Sequence, residues 1–443
     1  MKLLYVFIVF FVLQNCSFDN KTGIWKNENT IIKTNSKKGI FDEFENLSTS
    51  NEIFQDKILI NPKFRFSLTK PLTNNEWKDI YFRNNNNLIN FKYNQTNKIL
   101  FKSKKVTKYN INDFILFDSG KLITSDQKGN LIIYSIKKRK LITKFNFYKK
   151  QNKKTKKYLN LAVEKNVVYV SDNIGYIYAY SLKTNRIIWA KNYKIPFRGN
   201  LKILKKKIIT SNQNNNLFIF DKLNGEILRL IPTEETIIKN KFKNNLASTD
   251  KSLYFLNTFG SLYKLNINSS RIEWFINLNK STNLSINNLF FGNAVVVDSN
   301  TIVISSNEFT YIIDSNTGSI LYKKNFSSKV RPIILNNFLF LTTKRDFLIA
   351  FDLRDGSIIY SNDIKQDIAD FLDTKKKTIE IKNINIVNNN IYIFLENSYL
   401  LKYDIYGNLG DIRKLPSKIN SQPLFIENSM LYLNKDNKII IVD

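Results

Sequence analysis

One thiol and no imidazole limit the chemistry open to this chain: Cys16 is its only cysteine, and histidine is absent from all 443 residues. Metal centres built from His and Cys, Ser-His-Asp triads and Cys-His nucleophiles are thereby excluded. No Gly-Lys-Ser/Thr phosphate loop occurs either. Cys16 follows Met1-Lys2 and the apolar run 3–13, which is too short to cross a bilayer, a task that takes about 20 residues. A cysteine there reads as the lipidated thiol of a bacterial lipoprotein, with Ser17 favouring outer-membrane sorting. Asn15 stands where Gly or Ala is usual, and an ordinary secretion signal with an incidental cysteine is the competing reading. Lipidation would leave no thiol for a disulfide, so the folded domain must rest on packing.

Two further groups of residues could do chemistry. Asp314, Asp352 and Asp404 stand at turn positions, where a carboxylate bonds local backbone N–H groups; they are not read as calcium ligands. Ile195-Pro196-Phe197-Arg198-Gly199 is a connecting loop with an exposed apolar pair beside an arginine, which suits an interface: buried area plus a planar multi-donor head.

The elements that must position these groups repeat along the chain. Residues 166–189 read as three short β-branched and aromatic strands, with Asp172-Asn173-Ile174-Gly175 as the first turn and 182–185 as the second. Taking Ser181 as the mark, equivalents are Ser135, Asp221, Asn266, Asp314, Asp352, Asp404 and Asp443, at a mean spacing of 44 residues. Turn residues recur six positions before each mark, Gly225, Gly318 and Gly356 recur four after, and Trp189, Trp274, Tyr322 and Tyr360 recur eight after. A period in the forties with about four strands per unit predicts an all-β chain folded as an eight-bladed β-propeller. The Gly-His and Trp-Asp signatures of WD40 repeats are missing.

The pattern Tyr-Val-x-Ser-Asp-x-x-Gly-x-x-Tyr-Ala-Tyr, then Thr-Asn-x-Ile-Ile-Trp, resembles the PQQ-like repeat of quinoprotein dehydrogenases and BamB lipoproteins, over about residues 110–443. Eight blades and a lipoprotein-like start make the whole chain similar to the BamB family, scaffold subunits of the machinery that inserts β-barrels into the outer membrane. That resemblance implies a non-enzymatic periplasmic lipoprotein on the inner side of the outer membrane, without cofactor or metal, binding the periplasmic domains of a BamA-like barrel protein. It also assigns a role to the loop before the third blade, because family members contact the barrel subunit through a motif of the form Leu-x-Leu-Arg-Gly. Ile195, Phe197, Arg198 and Gly199 match its places. In the next inter-blade loop the family's Asp-x-Asp aligns with Lys241-Phe242-Lys243, so a carboxylate pair has become a lysine pair. The alternatives are a PQQ-dependent oxidoreductase, or a propeller scaffold for another envelope partner. Against the first, the chain lacks the adjacent cysteine pair of a quinone bed, and Trp189 and Trp274 fall at an outer-strand position suited to blade-to-blade packing.

Three segments are expected: a signal peptide over 1–15, a lipid-anchored flexible tether over 16–75, rich in Asn, Lys, Ser and Thr, and the propeller over 76–443. Residues 97–104 read as a lone outer strand, and 418–443 as a blade that stops short. Together they make blade eight, tying the chain's ends and removing an open edge. The 68 Lys+Arg against 37 Asp+Glu, a formal +31, could serve nucleic acid, an anionic membrane or nothing specific. Lysines spread over every blade, together with Asn and Ile enrichment, favour the compositional reading, and an export signal makes nucleic acid the weakest.

Overall fold

The strands expected from the repeat form as Val167–Asp172, Tyr176–Ser181 and Arg186–Asn192, with a further strand, Leu159–Glu164, on their inner side. The two middle strands bury Val168, Tyr169, Val170, Ile177, Tyr178 and Tyr180 together. Alternation is lost because a neighbouring blade covers each face. Asp172 closes the turn between them by accepting N–H bonds from Ile174, Gly175 and Tyr176 at 2.8–2.9 Å. Asp314 does the same for Asn316 and Thr317, and Asp404 for Tyr406 and Asn408, as the turn reading expects.

The computed structural model describes residues 16–18, 25–27, 54–148, 152–235, 243–279, 289–306 and 308–443. The expected signal segment 1–15 lies outside them. The chain divides into units 1–51 and 52–443. In the first, Cys16–Phe18 pairs antiparallel with Trp25–Asn27. The second is an eight-bladed propeller, its antiparallel sheets following one another at 116–146, 159–192, 202–231, 245–277, 296–324, 333–363 and 381–414, with the eighth closing the ring. That eighth blade is Leu424–Ile426, Ser429–Leu433 and Ile439–Val442, completed by Ile99–Lys102 through Ile440 opposite Lys102 and Ile441 opposite Phe101. The longest interval between marks, from Asp352 to Asp404, holds a helix, Ile364–Leu372, that the repeat pattern does not foresee.

Blades dock on one another through the two repeat features that sequence shows separately. A Cβ on Gly225 would run into the Trp189 indole of the preceding blade, and Gly318, Gly356 and Gly407 stand likewise over Trp274, Tyr322 and Tyr360. Where the preceding blade offers Thr143 or Arg229, the turn carries Asn185 or Ser270. Glycine is therefore present where an aromatic must be accommodated, and its φ of +74° at Gly225 is a second reason for it. Gly225→Ala is expected to cost about 2–4 kcal/mol by denaturant titration, from overpacking plus a left-handed alanine. Asn185→Gly, which has no ring beneath it, should change stability by less than about 1 kcal/mol.

The axis of the ring is filled by the chain itself. Asn74 bonds the eighth blade (to Phe425 O, 3.0 Å), Trp77 pairs with Phe117 of the first, and Lys78 accepts from Val163 of the second. Asn84 then bonds Ile203 of the third blade and Ser248 of the fourth. Asn85 bonds Val297 of the fifth, and Asn86 bonds Leu246 and Val295 of the fourth and fifth. Asn87 bonds Ile334 of the sixth, Asn90–Phe91 runs parallel to Ile381–Val387 of the seventh, and Asn94 returns to the eighth. One circuit of 74–94 thus satisfies the free inner edges of all eight blades in order. Asn suits the task because its amide both donates and accepts, like the strand edge it pairs with. Trp77, Phe82 and Phe91 pack together at the centre, with Phe91 stacked on Phe425 at 5.6 Å.

The segment before this plug departs from the expected free tether. Ile58 pairs with Ser361 on the outer strand of the sixth blade, and Phe66 packs against Phe338, Phe340, Tyr360 and Tyr406. Residues 54–75 therefore lie along the ring, because their aromatic side chains find apolar partners between the sixth and seventh blades.

Candidate functional site

The loop carrying Ile195, Phe197, Arg198 and Gly199 enters the inner strand of the third blade, Lys202–Leu204, at the mouth of the axis where the inter-blade loops gather. Its residues are not exposed together. Phe197 is 1% exposed, held among Tyr193, Phe218 and Phe220 with ring centroids 5.8–6.3 Å away. It is a core residue of the third blade, which corrects the expected exposed apolar pair; the local sequence does not show the three aromatics that fold over it. Ile195 and Arg198 are half-buried and Gly199 is buried. The N–H groups of Arg198 and Gly199 both donate to Ser211 O, at 2.9 and 3.1 Å, and any Cβ at Gly199 would meet Ser211 Oγ. Glycine is required there by close approach rather than by φ.

The next inter-blade loop reaches the same mouth. Lys241 and Phe242 lie outside the described residues, whereas Lys243 is described and exposed. Surrounding protein pulls its ammonium below the usual lysine range, with Asp113 opposing and Arg198 adding like-charge repulsion. Burial likewise lowers the Arg198 guanidinium. Beneath the Arg198 backbone, Ser211, Asn212 and Asn244 are at most 1% exposed, and Ser211 Oγ, Asn212 Nδ2 and Asn244 Oδ1 have no hydrogen-bond partner. Asn244 Nδ2 donates to Asn212 O at 2.9 Å, in the turn that follows Lys207–Ser211 and pairs with Phe197. At the same end of the ring, before the inner strands of other blades, a cavity of about 270 Å³ is lined by Tyr81, Asp113, Phe114, Arg331 and Lys382. Arg331, brought down to about 10 by burial, donates to Tyr81 O and Asn86 O and so clamps the plug from this side.

The opposite mouth has the other sign. A cavity of about 650 Å³ there is lined by Glu76, Glu164, Asp250 and Asp298, with Lys78 and Arg83. Between the two mouths Lys202, fully buried, donates to Asp79 Oδ2 at 2.7 Å and to Asn86. Burial pulls its ammonium below the usual range, against the pull of Asp79. Nothing in the sequence pattern marked this pair; its one signal was a lysine inside an otherwise apolar inner strand.

The profile of the family described as outer membrane protein assembly factor BamB matches residues 127–362, just over half of the chain. The chain belongs to the BamB family. Among solved structures, BamB from Moraxella catarrhalis superposes with a TM-score of 0.60 at 12% identity, over 78% of this chain and 99% of that one. The quinohemoprotein alcohol dehydrogenase from Comamonas testosteroni reaches 0.59 at 9% identity, over 83% and 80%. At such identities the likeness is one of fold. No curated protein sequence matches the chain.

The dehydrogenase likeness raises the question of a quinone bed, and the residues do not fit one. Trp189 and Trp274, the candidate stacking indoles, are taken up by Gly225 and Gly318 of adjoining blades. The axis is occupied by Trp77, Phe82 and Phe91, all at most 3% exposed. Among the described residues no three His, Cys, Asp or Glu side chains are grouped to hold a metal ion.

Proposed function

We propose that this BamB-family propeller is a non-enzymatic scaffold of the outer-membrane β-barrel assembly machinery. It is held on the periplasmic side of the outer membrane by a lipid on Cys16, and it docks the periplasmic domains of a BamA-like barrel subunit. The observation that carries the reading is the match of the BamB family profile to more than half of a ring whose axis is filled by its own residues. Affinity purification from native membranes tests the proposal: a BamA-like barrel protein should co-purify with the wild-type chain. Cys16→Ser should yield an unlipidated precursor by mass spectrometry and lose the membrane fraction. If no barrel protein is recovered, or if the purified chain binds PQQ and Ca²⁺ in a saturable manner, the scaffold reading is wrong.

A further inference from the structure

Lysine occurs in every blade, but the ring sorts it on one face. Each blade shows that face two turns, one joining its inner strand to the second and one joining its third strand to the outer. In blades one to four these turns are 118–121, 135–140, 164–167, 181–186, 204–207, 221–227, 248–252 and 266–272. They carry 14 Lys and Arg against 5 Asp and Glu. In blades five to eight they are 298–301, 314–320, 335–338, 352–358, 387–390, 404–409, 426–429 and the ends 98–99 and 442–443. These carry 2 against 7. Two acids of the cationic half, Glu164 and Asp250, line the axial cavity. Lys137, Lys138, Lys183, Arg186 and Lys206 do not line it; they are exposed and form no ion pair among the described residues.

Exposed aliphatic residues stand among these cations. Leu223, in the third blade's outer turn beside Lys222, is 74% exposed. Ile188 and Leu228 are the residues that outer-strand bulges of the second and third blades leave unpaired, and they are 52% and 53% exposed. The same position in the sixth blade is Ile359, and there, where Ile58 pairs with Ser361, it is 7% exposed. The position is thus covered in the sixth blade and open beside the cationic turns.

We infer that the turn face of blades two and three is a contact surface for an anionic phospholipid bilayer. Lys183, Arg186 and Lys206 meet headgroup phosphates, and Leu223, Ile188 and Leu228 enter the boundary beneath the headgroups. Turn tips that set aliphatic residues among cations suit a fluid lipid boundary. A nucleic acid would call for stacking aromatics, and none of these three apolar residues is aromatic. The inference rests on the envelope location in the scaffold reading, and not on the barrel subunit.

The test uses the full chain carrying Cys16→Ser, with vesicles of phosphatidylcholine alone or mixed with phosphatidylglycerol. The apolar run 3–13 is common to all variants, so differences between them report the turns. With native turns, binding to mixed vesicles should be at least about tenfold tighter than to neutral ones, and added salt should weaken it. Lys183→Glu/Arg186→Glu/Lys206→Glu should bind the mixed vesicles at least about tenfold more weakly. Lys153→Glu/Lys154→Glu/Lys377→Glu makes the same change of net charge in exposed loops that lead into inner strands, and should stay within about twofold. Matching circular dichroism and melting curves guard against misfolding. If the first triple is unstable, Lys183→Gln/Lys206→Gln should lose about threefold or more. Because Cys16 is the only cysteine, Cys16→Ser/Leu223→Cys accepts a single polarity-sensitive dye. Its emission should shift to the blue on vesicle binding, while a dye at Asn316→Cys, in the fifth blade's outer turn, should not. Equal binding to both vesicles, equal losses in both triples, or a shift at position 316 as large as that at 223 would overturn the inference. A glutamate decamer that binds through Lys206 while vesicles are ignored would assign the face to an acidic protein and overturn it too. A barrel protein that co-purifies while vesicles are ignored keeps the scaffold and removes the membrane contact. Vesicle binding through these turns with no barrel protein recovered keeps the contact and removes the scaffold.

Discussion

Lys202→Met should destabilise the propeller by about 3–5 kcal/mol, because it leaves the Asp79 carboxylate buried without its ammonium. Lys202 has no exposed side-chain surface and Asp79 has 5%, so water cannot take over the role. The damage should not stay local. Asp79 belongs to the circuit of 74–94, and Lys202 also holds Asn86, whose amide bonds the fourth and fifth blades. Releasing it unpairs inner strand edges on several blades at once. The partner variant Lys202→Met/Asp79→Leu removes both charges and should recover most of the loss, since two well-packed apolar groups can replace a buried pair at little net cost. Denaturant titration of the three proteins decides the matter. A single-variant loss below about 1 kcal/mol would mean that the plug is not anchored by this pair.

Deleting residues 430–443 should unfold the ring as a whole. The deletion removes two strands of the eighth blade, including Ile439–Val442, the one that pairs with Ile99–Lys102. Buried Tyr432, Leu433, Ile439 and Ile440 go with it. The first and seventh blades then each present an uncovered apolar face, and Ile99–Lys102 loses its only neighbour in the sheet. Plug contacts at Phe425 and Asn428 are left on a single remaining strand and its turn. Thermal melting should show a loss of the cooperative transition, or a midpoint lower by tens of degrees. A truncated chain melting with the full-length one would mean that the shared blade contributes nothing to closure.

Much of this architecture was legible in the residues. Strand, turn and blade number follow from short-range patterns: β-branched and aromatic runs, Asp or Asn at turns that bond their own backbone, and offsets that recur about every 44 residues. The joining of the chain's ends was legible too, because a lone outer strand at one end and an incomplete blade at the other complement each other. The glycines four after the mark and the aromatics eight after it were each visible, but that Gly225 covers Trp189 is a contact between neighbouring blades, and no local pattern states which blade covers which.

The candidate site was legible in part. Arg198 and Lys243 were found in their loops, yet their meeting at one mouth depends on the ring bringing successive inner strands side by side. Phe197 was misjudged because a loop with an apolar residue looks exposed until Tyr193, Phe218 and Phe220 are placed around it. The run Asn84-Asn85-Asn86-Asn87 is the sharpest case. In a chain rich in asparagine it carries no periodicity, and its partners are residues 119 to 247 positions away. Short-range chemistry acts between neighbours in the chain and so determined the blades, their number and their closure. What fills the axis, which face is cationic and whether Phe197 is core or surface depend on pairings between distant segments, and those only the closed ring decided.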